Sequence, residues 1–150
     1  MSEDKISFED FLEKDGVLVY TNRGFSMMPM LRQKRDLIVV KKISSEPLKR
    51  YDVVLFKYKG NYVLHRIMKI DGDDFTTAGD HNWWKEYHIQ RQDIIGKLDS
   101  FVRDGKEIKT DNKFYLCYVH LWCDLFPVRA GILKASATIK RLGSYVKHHI

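Results

Sequence analysis

Ser26, His65, Asp80 and Glu86, in that chain order, are the residue types that acyl transfer by serine requires. A serine hydroxyl is a poor nucleophile until a base takes its proton. An imidazole does this near neutral pH and later returns the proton to the leaving amine. A carboxylate holds the ring in one tautomer and stabilises the imidazolium. Backbone N–H groups must meet the developing oxyanion, and the turn that carries Ser26 is the candidate donor. Asp80 and Glu86 are the candidate carboxylates. Any chain of this size contains a serine, a histidine and an aspartate, so local context has to carry the argument.

Ser26 lies in Gly24-Phe25-Ser26-Met27-Met28-Pro29-Met30, between strand-like runs at Val17-Leu18-Val19-Tyr20 and Asp36-Leu37-Ile38-Val39-Val40. Gly24 permits backbone angles that a side chain forbids. Pro29 fixes its own φ and pushes Met28 towards an extended conformation. A hydroxyl held on such a shaped connection is either a turn-former or a nucleophile. His65 sits mid-strand between Leu64 and Arg66, where a solvent-facing histidine is the plain alternative. Asp80 follows Gly79 at the end of a strand, a place for an Asx turn as much as for a cleft-facing carboxylate.

The elements that must hold these residues are mostly strands. Ser7-Phe8-Glu9-Asp10 reads as a helix N-cap with early acids. Phe8, Phe11 and Leu12 then share a face, so a short helix is expected over residues 7–14, ended by Asp15-Gly16. Strand signals follow at 36–42, 51–58, 62–70, 75–78, 93–98 and 100–103. Lys59-Gly60-Asn61, Asp71-Gly72-Asp73 and Asp104-Gly105 supply tight turns, the last leading onto Glu107-Ile108. Residues 44–49 read as a connection, and a polar, aromatic loop runs from Gly79 to about Tyr87. The fold class this implies is mainly β: an antiparallel, coiled or barrel-like assembly.

From Asn112 the texture changes. Lys113 to Trp122 reads as a helix, and Pro127 should kink or end it. Residues 128–146 continue as a second helical, basic segment. The division expected is residues 1–111 as the β domain and 112–150 as a basic, aromatic-rich helical tail. Net charge is +6 with pI about 9.2, and no acid follows Asp124. Such a tail suits either an anionic membrane surface or packing on the β body with a solvated basic face. No helix-turn-helix or RNA-binding motif accompanies the charge, so nucleic acid is not expected. The 44% hydrophobic content suffices for a core. Cys117 and Cys123, six apart, do not share a helix face and read as two buried small hydrophobes without a disulfide. No metal-ligand spacing is present, and no cofactor is needed for the chemistry.

Taken in order, these boxes resemble the serine peptidase superfamily that includes the type I signal peptidases and the self-cleaving repressors. A Gly-x-Ser-Met-x-Pro run is matched by Gly24 to Pro29, an Asp-led apolar strand by Asp36 to Val39, and a further box by Asp52-Val53-Val54-Leu55-Phe56. Leu64-His65-Arg66, Gly79-Asp80-His81-Asn82 and Ile94-Ile95-Gly96-Lys97 follow. The resemblance covers residues 16–100. Many members use a lysine base, whereas this chain has His65 at that place and is similar to the serine–histidine branch of endoplasmic-reticulum and archaeal enzymes.

The resemblance implies Ser26 as nucleophile, His65 as base and Asp80 as the third member, with Glu86 at a later acidic position where the family has Asp. Arg66 would brace the site through a carboxylate. It implies a peptide substrate bound as an extended strand, with Phe25, Met27 and Met28 lining shallow pockets that favour small side chains. Members that process secreted proteins carry an N-terminal membrane anchor, and residues 1–14 hold no apolar segment. The expectation is a cytoplasmic enzyme, peripheral to the inner membrane face through its tail, that trims a leader or propeptide. A self-cleaving repressor and a non-catalytic peptide-binding module are the alternatives.

Overall fold

The computed structural model describes residues 7–43 and 45–148, with side chains as far as Arg141. Ser44, in the expected connection, lies outside the described residues, as do the side chains after Arg141.

Helix α1 (Phe8–Asp15) opens as the sequence implies. Ser7 accepts from the Asp10 N–H, Asp10 reaches back to the Ser7 N–H, and Gly16 closes the helix with φ 70°. Eight strands follow: β1 (Val17–Thr21), β2 (Leu37–Lys42), β3 (Val53–Tyr58), β4 (Asn61–Asp71), β5 (Asp74–Ala78), β6 (Glu86–Gln90), β7 (Ile94–Arg103) and β8 (Lys106–Lys109). They form one antiparallel sheet in the order β1-β2-β7-β3-β4-β5-β6, with β8 also on β7, curled into a half-barrel. The mainly β architecture is therefore as expected. Strand β6 is not: it begins at the end of the stretch read as loop and runs on to Gln90.

Two long strands shape the molecule. β7 pairs with β2 along one side, and on the other side with β3 near its start and β8 near its end. β4 pairs with β3 over residues 61–66 and with β5 over residues 66–71. On the β5 side, the first half of β4 thus has no strand neighbour. β1 is likewise an edge, paired only with β2. The Phe8 ring closes one end of the gap, 5.2 Å from Tyr20 of β1 and stacked 4.6 Å from Tyr62 of β4. Helix α1 lies tight on the sheet: a Cβ at Gly96 would fall 2.5 Å from Val40 Cγ1 and 3.2 Å from Leu12 Cδ1.

Helices α2 (Lys113–Asp124) and α3 (Phe126–His148) meet at a bend of 73°. The break falls at Leu125, and Pro127 stands in the first turn of α3, where its missing N–H costs no helical hydrogen bond. α2 packs on the β body. Tyr115, Val119 and Cys123, spaced four apart, join the core that contains Met27, Met30, Leu31, Ile38 and Phe101. Cys117, on the opposite face, is exposed, which corrects its reading as a buried residue, and both cysteines are free. The serine loop is thus held from beneath by the same core that seats α2.

Candidate active site

His65 and Arg66 are neighbours on β4, so their side chains leave opposite faces of the strand. Each finds one carboxylate, and the pairing differs from the one the sequence suggests. His65 Nδ1 lies 2.9 Å from Glu86 Oε2, and the Thr77 hydroxyl donates to the same oxygen at 3.0 Å. Thr77 and Glu86 face each other across the β5–β6 ladder, which fixes where that carboxylate sits. With the carboxylate accepting, Nδ1 carries the proton and Nε2 is left as the acceptor. His65 and Glu86 are both buried, at 6% and 7% exposure, and the Phe56 ring stands edge-on to the imidazole.

Asp80 does not lie behind the histidine, contrary to expectation. It accepts a two-pronged hydrogen bond from Arg66, Nε to Oδ1 at 2.9 Å and Nη2 to Oδ2 at 2.7 Å. Arg66 Nη1 also donates to the Tyr51 carbonyl and the Tyr115 hydroxyl. Tyr118 donates to Asp80 Oδ2, and Trp122 Nε1 donates to the Asp80 carbonyl. Burial works against the Arg66 cation, but Asp80 outweighs it and keeps the guanidinium firmly protonated. Here Arg66 does pair with a carboxylate, in the bracing arrangement the sequence suggests for it.

That brace reaches the serine through the Gly79–Asn82 turn. The His81 N–H donates to the Ser26 carbonyl at 2.7 Å. The approach is so close that a Cβ on Gly79 would fall 2.5 Å from the Ser26 oxygen. From the other side, Asn22 holds the loop by donating to the Gly24 and Leu31 carbonyls. Buried Asp36 accepts from Arg32 and Arg103, and Arg103 also donates to the Met30 carbonyl. Burial pushes the Asp36 carboxyl up, yet Arg103 and Arg32 together hold it below the usual carboxylate range. Met28–Pro29 is a cis peptide bond.

Ser26 and His65 both open on one cleft of about 1410 Å³. No hydrogen bond joins the Ser26 hydroxyl to the imidazole among the described residues. The cleft runs between the β1 end and the open half of β4. Phe25 and Met27 line it, Phe25 largely exposed and Met27 almost wholly buried; Met28 does not line it. Trp83 and Trp84 form one wall. A further boundary, beside Trp83, was not legible as part of the site: Leu133, Ser136, Ala137 and Lys140, one helical stripe of α3, also line the cleft. The three-and-four spacing was present in the sequence, but nothing there said which surface that stripe would face.

Near the start of α3, Arg129 is 5% exposed, and its Nε, Nη1 and Nη2 have no hydrogen-bond partner among the described residues. It stacks over the Phe126 ring at 4.5 Å and near Trp122 at 5.6 Å. Among the described residues no group of three His, Cys, Asp or Glu side chains is placed to hold a metal ion. No protein-family model matches this chain, and no curated protein matches it.

Proposed function

We propose that this protein is a serine endopeptidase of the signal-peptidase type, acting on a leader or propeptide with small residues next to the scissile bond. The observation that carries the reading is the buried His65–Glu86 pair opening, with Ser26, onto one cleft. In this reading Nε2 of His65 takes the Ser26 proton as Oγ attacks the peptide carbonyl. The Ser26 backbone N–H faces the oxyanion, and the imidazolium formed is stabilised by Glu86. His65 then protonates the leaving amine, and water activated by the same ring hydrolyses the acyl-enzyme. Glu86 replaces Asp80 as the carboxylate of the triad, and Asp80 acts with Arg66 as a positioning pair. An extended substrate chain would pair along the open half of β4, facing β1.

The test is cleavage of a peptide library by wild type, Ser26→Ala and His65→Ala. Cleavage by wild type, with loss in both variants, is expected. Undiminished cleavage in both variants overturns the assignment. The missing Ser26–His65 hydrogen bond favours one second reading, a peptide-binding module without turnover, which predicts binding with no cleavage by any of the three.

For the membrane, Phe114, Leu121, Leu125, Val128, Ile132 and Ile139 are exposed on α2 and α3. Among the described residues no single helix is long and apolar enough to cross a bilayer, although the bent pair passes that test together. Peripheral contact through this corner is part of the proposal, and sedimentation with anionic vesicles tests it.

A further inference from the structure

The cleft has a one-sided charge. Its lining includes Arg23, from the serine loop, and Lys140, from the α3 stripe, but among the described residues no aspartate or glutamate. The carboxylates close to the site are already engaged: Asp80 by Arg66, Glu86 by His65 and Thr77, and Glu9 by Lys57 and Tyr62. Neither Arg23 nor Lys140 takes part in an ion pair among the described residues. Two further cations stand nearby over aromatic rings, Lys134 at 5.5 Å from Trp83 and Lys85 at 4.5 Å from Phe126. A groove walled by aromatic rings and lined by a single sign of charge concentrates the opposite charge inside it.

The groove is also built for a chain. Its volume exceeds the several-hundred-Å³ scale of ordinary small-molecule pockets. Two open strand edges flank it, and strand edges recognise peptide backbone. Where α3 lines the groove, Ser136 and Ala137 are small and leave room beside the helix, while Lys140, one turn on, reaches the lining. A lipid headgroup would satisfy the cations but would leave the strand edges unused.

We infer that the substrate is an acidic peptide, with Arg23 and Lys140 as the residues that select its aspartate or glutamate side chains near the scissile bond. This rests on the peptidase reading for turnover, but its binding arm stands without it. Lysine in place of the acid would be repelled by both Arg23 and Lys140. The charges are partly screened, so selection acts through KM and weakens as salt rises.

The experiment uses fluorescein-labelled peptides that differ only in carrying Asp, Asn or Lys at one scanned position. Cleavage is followed with wild type, and binding by anisotropy with Ser26→Ala. At low salt, the Asp peptide at the selected position should exceed its Lys counterpart by about tenfold, in kcat/KM and in affinity. Arg23→Glu and Lys140→Glu, both exposed positions, should each shrink that ratio, and together they should reverse it. Cleavage without charge preference overturns this inference and leaves the peptidase reading standing. Charge-selective binding without cleavage supports the inference and removes the peptidase reading. Equal affinity for all three peptides, with phosphatidylglycerol vesicles displaced by the two charge reversals, assigns the cations to lipid and overturns the inference.

Discussion

Two buried pairs leave β4 from adjacent residues, and they do opposite work. Arg66–Asp80 is closed: the guanidinium meets four partners besides its core packing, and α2 seals it with Tyr115, Tyr118 and Trp122. His65–Glu86 borders the cleft: Nδ1 is held by Glu86, and His65 is one of the residues that line the cleft. A permanent cation with a two-pronged carboxylate makes a rigid brace. A neutral ring with one nitrogen committed makes a proton acceptor whose orientation is fixed. The alternation of a strand lets one dipeptide supply both.

The sharpest way to break this contrast is to neutralise each carboxylate. On the proposed peptidase reading, Glu86→Gln should lower kcat/KM by about 10³–10⁴-fold, because the amide no longer favours the productive tautomer or the imidazolium. Its unfolding midpoint should change little. Asp80→Asn should do the reverse, losing stability first. Peptide cleavage measured well below each variant's unfolding transition separates them. An equal kinetic loss in both would erase the distinction between the pairs.

Removing the brace cation comes next. Arg66→Met leaves Asp80 charged, buried and unpaired, which costs about 3–5 kcal/mol. Denaturant unfolding of Arg66→Met and of the double variant with Asp80→Leu checks this. The double variant should recover much of the loss, since an apolar pair of similar volume needs no desolvation of charge. Failure to recover would mean that the pair stabilises by more than mutual neutralisation.

The sequence showed more of the fold than of this wiring. Strand–turn alternation located the curled antiparallel sheet, and the Ser26, His65 and Asp80 boxes marked segments that the structure brings close together. It did not reveal which carboxylate meets which base. His65 and Arg66 are one residue apart, so each carboxylate was equally reachable until the faces of β4 were known. Glu86 was obscured because β6 does not alternate cleanly: its buried residues are Glu86 and Ile89, with His88 at φ 61° between them. Residues 113–123 held their inward face in plain view, at the four-residue spacing of Tyr115, Val119 and Cys123. The cleft-facing stripe of α3 was hidden for the opposite reason: three of its four members are small or charged, and none marks a core.

The connection from brace to serine is tested by Gly79→Ala. The added methyl would sit 2.5 Å from the Ser26 carbonyl oxygen, so the loop or the turn must shift. Displacement of about 1 Å at a nucleophile costs on the order of 10²-fold in rate. On the peptidase reading, the expected result is a fall in kcat with KM nearly unchanged and unfolding shifted only slightly. If kcat holds, the turn does not position Ser26.

Asp36 extends the comparison to pH. Its carboxyl is held below the usual range by Arg103 and Arg32, so the stability it contributes is present above the unfolded-state value, near ~4, and is lost as pH falls through the lower folded value. Asp36→Asn should therefore cost about 1.5–3 kcal/mol at neutral pH, the range for hydrogen bonds to a charged group. That difference from wild type should narrow in acid unfolding experiments below pH ~4. A constant difference at all pH values would show that the loss comes from packing and not from the charge.

Arg129 gives the smallest effect and the cleanest control for Arg66. Both are buried arginines, but Arg129 has guanidinium nitrogens without a hydrogen-bond partner among the described residues, where Arg66 has a carboxylate, a carbonyl and a hydroxyl. Burial lowers the Arg129 pKa from its ordinary value, with Asp80 opposing that shift from a distance. The Phe126 and Trp122 rings return part of the desolvation cost through cation–π contact, worth about 0.5–2 kcal/mol. Because that offset is only partial, Arg129→Met should leave stability unchanged or increase it. The same substitution at Arg66 should be severely destabilising. If Arg129→Met proves as costly as Arg66→Met, being buried rather than being paired governs the arginines of this protein, and the contrast drawn on β4 loses its basis.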